Sequence, residues 1–254
     1  MPLLEKLSYG RSLLITAPLI FLYTGIMGSI SVASSIIDAR GRKQHGCARI
    51  WARLILWTSG IRLRVTGLEN VRPSTPYVLC ANHQSHMDTP IILAALPFQF
   101  RFTPKKELFR IPFLGWHLRR SGHVPIDREN PHAAVKSLRE AAETIRRGTP
   151  VMIFPEGGTS RDGIIKPFKG GGFMLAAKAD AEVVPVTIRG SRSVLVPKTY
   201  HVRRGVVEVI VGKPIGSSGV STAELANRAR EEVLMTFKNG KTLDRNSYSL
   251  SREV

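Results

Sequence analysis

This chain is short of acidic residues beside its basic ones, and it has only two cysteines. Against 37 Lys and Arg stand only 19 Asp and Glu in 254 residues, a formal charge of +18. Such an imbalance excludes a self-neutralising surface and implies a polyanionic partner, either nucleic acid or an anionic membrane surface with phosphate-bearing ligands. The nucleic-acid alternative has charge alone to support it: the sequence contains no zinc-finger spacing, RNA-binding aromatic signature or basic-leucine heptad. No nucleic-acid partner is therefore expected. The two cysteines, Cys47 and Cys80, lie far apart in apolar contexts, too few for a disulfide framework or a metal cluster. They fit a reducing compartment. Internal repeats are also lacking, and the length allows one large domain or two small ones.

What the chain does have is a long uncharged run, Ser12 to Ile37. As a helix it would extend ~39 Å, enough for a bilayer core of ~30 Å. It is longer than the apolar centre of a cleaved signal peptide, about 7–15 residues. Pro18, Gly25 and Gly28 predict a bend. Lys6 and Arg11 precede the run, and Arg40, Arg42 and Lys43 follow it. Cations on both flanks leave orientation undecided by the positive-inside rule, and suit a segment that enters and leaves the same leaflet. In the next segment, Ala48 to Trp57, Ile50, Leu54 and Trp57 share one helical face while Arg49 and Arg53 lie elsewhere. That pattern suits a helix at the headgroup boundary; a core-packing helix has the same periodicity. The expectation is a membrane-associated helical pair over residues 1–60, monotopic in the cell membrane on its cytoplasmic side.

From Gly60 onward strands and helices alternate. Ile61–Val65 has the period of two of a half-buried strand. Tyr77–Ala81, Val151–Phe154, Val183–Ile188 and Val206–Val211 read as further strands. A helix opens at Asn130-Pro131, repeats Val135, Leu138, Ala142 and Ile145 at helical spacing, and closes at Gly148. Ser221-Thr-Ala-Glu224 is a capping box that starts a last helix running to about Phe237. This order predicts an α/β domain over 61–238, a largely parallel, mixed sheet flanked by helices, followed by a polar basic tail at 239–254. Its site is expected beyond the carboxyl ends of the strands.

Two segments there carry chemistry. Asn82-His-Gln-Ser-His-Met-Asp88 follows a strand and precedes a helix, Thr89–Leu96. An imidazole with a carboxylate one helical turn on is the pattern of an oriented general base; the same carboxylate would equally cap the helix. Phe154-Pro-Glu-Gly-Gly-Thr-Ser-Arg161 is a glycine-rich loop whose backbone can approach an anion and whose arginine can pair with phosphate. Lys166 to Gly172 adds two cations and more flexible backbone. Pro104 to Gly115 mixes cations with an apolar ridge, Leu108, Phe109, Phe113 and Leu114, a second place for lipid contact. Gly122 to Arg128 ends in an Asp127-Arg128 pair; an ordinary surface ion pair fits Arg128 as well.

Taken in order, the His83…Asp88 block, Gly122…Asp127-Arg128, Phe154-Pro-Glu-Gly157 and Val184-Pro185 resemble the four blocks of the glycerolipid acyltransferase family. The closest resemblance is to its 1-acylglycerol-3-phosphate acyltransferase branch, over roughly Gly67 to Gly212. The resemblance implies that His83 is the general base on an acceptor hydroxyl and Asp88 its orienter. It implies that Lys105, Arg128 and the loop carrying Glu156, Gly157 and Arg161 hold the acceptor phosphate; His86 receives no role. It further implies acyl transfer from acyl-CoA or acyl-carrier protein to 1-acylglycerol-3-phosphate, giving phosphatidic acid, with membrane phospholipids around the enzyme and neither cofactor nor metal. The third block departs from the family pattern: it usually continues Gly-Thr-Arg-Ser, so Thr159 stands where an arginine is expected. That departure keeps another acceptor open, a lyso-aminolipid or a lysophospholipid. A non-catalytic anionic-lipid-binding protein would have no need of the His83/Asp88 pair.

Overall fold

The structure, a computed structural model, describes residues 3–38, 40–72, 75–126 and 131–239, the side chains of 4 and 131–136 excepted. Its centre is a six-stranded sheet in the order β1-β6-β5-β2-β4-β3. The strands are β1 (Ile61–Thr66), β2 (Val78–Ala81), β3 (Arg101–Phe102), β4 (Val151–Ile153), β5 (Val183–Arg189) and β6 (Gly205–Val211). All neighbours run parallel except β5 and β6, so the expected largely parallel, mixed sheet is present. The inner strands β2, β4 and β5 are almost wholly buried, as strands covered on both faces are.

One face carries α3 (Arg42–Ser59) and α4 (Asp88–Ala95); their Ala52, Ile55, Ile91 and Ile92 pack with Leu79, Val184 and Val207 of the sheet. The other carries α6 (Pro131–Arg146), α7 (Gly170–Ala179) and α9 (Thr222–Asn239), whose Ile145, Phe173 and Leu225 pack with Val78, Val151 and Val183. Ser221 caps this last helix, the Glu224 N–H donating to Ser221 Oγ at 3.2 Å, while the Glu224 carboxylate pairs with Arg228 and does not complete the expected box. The Gly170-Gly171-Gly172 run differs from the expectation of flexible backbone, because it opens α7. A Cβ on Gly172 would stand 2.8 Å from Ile153 Cδ1. Close approach of helix to sheet, rather than freedom, explains that glycine.

The N-terminal segment forms α1 (Leu3–Arg11), a π-helical turn at Ser12–Thr16, and α2 (Ala17–Ser34). The helix is not broken at Gly25 or Gly28; Gly28 instead lets Phe113 approach, a Cβ there lying 3.0 Å from Phe113 Cβ. One side of this segment is polar and fastened to the domain along its length. Glu5 pairs with Arg203 (3.0 Å), Ser12 Oγ donates to Val202 O (2.9 Å), and Arg11 donates to both Val202 O (2.9 Å) and Thr58 O (3.3 Å). Further on, Trp51 Nε1 donates to Thr24 Oγ1 (3.0 Å), and Ser31 Oγ meets His117 Nδ1 at 2.6 Å. Its other side exposes Leu7, Leu14, Phe21, Leu22, Ile26 and Ile30. The Ile50/Trp57 face of α3 also points outward, Trp57 being 77% exposed, while Ala48, Ala52, Ile55 and Leu56 are buried.

Candidate active site

Parallel pairing brings the carboxyl ends of the neighbouring strands β5, β2, β4 and β3 to one edge of the sheet, where α/β folds place ligands. His83 follows β2, Glu156 to Arg161 follow β4, and Lys105 follows β3.

The turn after β2 is built by side chains. Asn82 ties the strand end to β5, donating from Nδ2 to Ile188 O (2.9 Å) and accepting the Ile188 N–H on Oδ1 (2.8 Å). Past that point the main chain leaves the sheet and reaches α4 at Asp88. Asp88 Oδ2 accepts the N–H of Gln84 (2.7 Å) and of Ser85 (2.9 Å), and also meets His83 Nδ1 at 2.9 Å. The carboxylate thus caps the turn and holds the imidazole at once. Since a carboxylate accepts only, Nδ1 carries the ring proton and Nε2 keeps a free lone pair. Asp88 is fully buried, whereas His83 remains partly exposed. The His83 ring stacks on Phe154 at 4.2 Å, and Phe154 stacks in turn on Phe102 at 6.1 Å.

Glu156 stands apart from the phosphate-holding role that the resemblance implies for its loop. Its Oε1 accepts the His83 N–H (2.6 Å) and its Oε2 accepts the Lys166 N–H (3.0 Å). Both oxygens are committed to backbone, so this buried carboxyl braces the His83 turn. Burial pushes it up from its ordinary value, and the two N–H bonds pull it back. Gly157 is explained by conformation, with φ +80° and a Lys169 Nζ that would lie 3.0 Å from any Cβ. Glu156→Gln leaves one acceptor for two donors. One buried N–H then loses its partner, costing about 1–3 kcal/mol. The expected outcome is a melting point lower by several degrees and a turnover lower by about tenfold. Unchanged turnover with a lowered melting point would show that His83 does not depend on this brace.

The rest of the loop is stitched to the same turn. Ser160 N–H donates to His83 O (2.8 Å), and Gln84 Nε2 donates to Gly163 O (3.0 Å). Asp162 accepts the Ser160 hydroxyl and the Ile164 N–H, which hold its carboxyl below the ordinary value. Arg161 is exposed. Lys105 forms a strand-like bridge with Ile126 and an ion pair with Glu107 at 3.5 Å. Asp127 and Arg128 lie outside the described residues. His86 is exposed.

Beside the aromatic row lies an apolar cavity of about 90 Å³ between α2, α3, α4 and α5 (Leu114–Arg120). Met27, Trp51, Leu93, Phe102 and Leu114 line it, and it reaches Thr89, next to Asp88. At its wall His117 is pushed down to about 4 by burial and by nearby Arg101; the imidazole is therefore neutral. His123 Nδ1 accepts the Phe102 N–H at 2.9 Å, which fixes the edge strand. The sequence alone points neither to the strand-end role of Asn82, nor to the brace role of Glu156, nor to Arg192, which donates to Ser160 O and Arg161 O. A polar residue ending an apolar strand was the available signal for Asn82; Arg192 and Glu156 had none, because their partners are distant in the chain.

Residues 62–189 match the family model described as Acyltransferase. The chain is 35% identical over 201 residues to the chloroplastic 1-acyl-sn-glycerol-3-phosphate acyltransferase LPAT1 of Arabidopsis thaliana, covering 78% of this chain and 55% of that protein. It is 30% identical over 239 residues to the 1-acyl-sn-glycerol-3-phosphate acyltransferase of Saccharomyces cerevisiae, covering 91% and 78%. The chain thus spans little more than half the length of the plant relative and most of the yeast one. Among solved structures, the 1-acyl-sn-glycerophosphate acyltransferase PlsC of Thermotoga maritima matches with a TM-score of 0.78 at 27% identity, over 92% of this chain and 99% of that one.

Proposed function

The chain belongs to the acyltransferase family, and on that premise we propose that it moves a fatty acyl group from a thioester donor, acyl-CoA or acyl-carrier protein, to the free hydroxyl of 1-acylglycerol-3-phosphate, forming phosphatidic acid. The observation that carries this reading is the His83 imidazole with Nδ1 on buried Asp88 and Nε2 left for an acceptor. In the step, Nε2 takes the hydroxyl proton as the oxygen bonds to the thioester carbonyl. Collapse of the tetrahedral adduct breaks the C–S bond, and the imidazolium returns the proton to the leaving thiolate. General-base action supplies about 10²–10⁴-fold; holding acceptor and donor together can contribute ~7–11 kcal/mol. A cysteine acyl-enzyme is disfavoured, because burial raises both thiols above their ordinary values and Cys80 lies wholly inside β2.

Arg161, Lys105 and Arg128 are the cations we assign to the acceptor phosphate, with the exposed arginine the best match to its oxygens. The apolar cavity suits an acyl chain, since it is lined almost wholly by hydrocarbon and ends beside the Asp88 turn. The second reading, a different lysolipid acceptor, rests on Thr159. A panel of lysolipid acceptors with labelled acyl-CoA and acyl-carrier protein separates the two: 1-acylglycerol-3-phosphate is the expected acceptor. Faster turnover of a zwitterionic or amino lysolipid would replace the first reading by the second.

We also assign the enzyme to one leaflet, with its domain on the cytoplasmic side. The segment Glu5–Ser34 is long and apolar enough to cross a membrane, yet its polar side is bonded to the domain from Glu5 to Ser31. Crossing would strand those groups in hydrocarbon, whereas lying flat offers Leu14, Phe21 and Ile26 to lipid. Exposed Ile111, Phe113 and Trp116, with Arg110, Arg119 and Arg120 around them, extend the same surface. An N-terminal epitope tag is expected to be digested by protease added on the domain's side of sealed vesicles. Protection of the tag while the domain is cut would establish a spanning helix.

A further inference from the structure

We propose that Arg192 is a positioning residue for acceptor binding, acting through the loop that carries Arg161. Arg192 lies in the short α8 (Ser191–Val194), just beyond the carboxyl end of β5 and therefore at the same sheet edge as His83. Its guanidinium donates from Nη1 to Ser160 O at 3.0 Å and from Nη2 to Arg161 O at 2.6 Å. The side chain also lies against Gly163, whose φ is +86° and where a Cβ would come within 3.1 Å of Arg192 Cδ and Nε. On its other flank the loop is bonded to the catalytic turn through the Ser160 N–H and the Gly163 carbonyl. The backbone that launches the Arg161 side chain is thus gripped from both sides, by the His83 turn and by Arg192.

Only an arginine can do this. Its planar fork holds two consecutive carbonyls at fixed spacing, while an ammonium is a point donor. Arg192 also adds a second positive charge beside the loop, in a chain whose third block has Thr159 where the family pattern has an arginine. The consequence is selective. Arg192 touches neither His83 nor Asp88 in the structure, so its loss frees Arg161 without disturbing the base.

The inference rests on the reading of Arg161 as a phosphate ligand, and a double-mutant cycle on the full-length protein separates the two. Steady-state constants for 1-acylglycerol-3-phosphate are measured for Arg161→Ala, Arg192→Ala, Arg192→Lys and the double alanine variant. Arg192→Ala is expected to raise KM about tenfold, as loss of charge-assisted bonds does, with kcat within about threefold. Arg192→Lys is expected to recover part of the loss. The double variant is expected to be no worse than Arg161→Ala alone, because the two residues act in series. If Arg192→Ala fails to fold, the lysine variant carries the test: a raised KM with kcat retained supports the role, and an unchanged KM or a fall in kcat overturns it. Losses that multiply in the double variant also overturn it, since Arg192 would then act independently of Arg161. Should Arg161→Ala itself leave KM unchanged, the phosphate-ligand reading fails and the role of Arg192 falls with it.

Discussion

His83→Ala is expected to lower acyl transfer by about 10²- to 10⁴-fold, with acceptor and donor KM changed little. The alanine removes Nε2, the nitrogen that Asp88 leaves available by holding Nδ1 at 2.9 Å. It does not remove the brace on the turn, because Glu156 Oε1 and the Ser160 N–H bond to the backbone of residue 83 and not to its ring. The variant should therefore fold, with its melting point as the control. Initial rates with labelled donor, across a tenfold range of enzyme, give the size of the loss. Retention of more than a few per cent of turnover would remove His83 from the role of base.

Asp88→Asn is the second large effect, and it separates charge from orientation. In the aspartate, Oδ2 receives Gln84 N–H, Ser85 N–H and His83 Nδ1, while buried Oδ1 has no partner. An asparagine can place its carbonyl at the Oδ2 position and keep those contacts, with its amide in the unpartnered place. The imidazole then remains positioned, yet the imidazolium formed on proton uptake faces a neutral group instead of an anion. Turnover is expected to fall by about 10²-fold or more while acceptor KM stays near the parent value. A variant that loses affinity in step with turnover would mean the turn itself had collapsed. Asp88→Ala, which removes the cap as well, should show that combined loss together with a lower melting point.

Regular elements were legible where a local rule and the tertiary fold agree. Val183–Ile188 is a β-branched run in the middle of the sheet, and Ser221 caps the helix its spacing announces. Disagreement came where packing overrode propensity. The glycines at 170–172 look like a loop, yet they lie in a helix because Ile153 leaves no room for a side chain at Gly172. Arg101–Phe102 and Leu114–Arg120 are too short for a period to emerge. Within the site, His83 and Asp88 are five positions apart and announce each other. Glu156 is 73 positions from the N–H that it holds, so its brace role is a property of the folded chain alone. Arg192 reads in the sequence as one more surface cation among 37 Lys and Arg.

The bonded face of the first helix bears on how the protein is made. Glu5 finds its partner at Arg203, 198 positions later in the chain. At roughly 5–20 residues per second, a ribosome takes on the order of ten to forty seconds to supply that partner. Through that interval the most apolar segment of the nascent chain can reach Trp51 and Thr58 but not the Arg203 end of its dock. Its exposed side, Leu14, Phe21 and Ile26, stays uncovered even when that dock is complete, so on a one-leaflet placement lipid covers this segment while the rest of the fold is still being made.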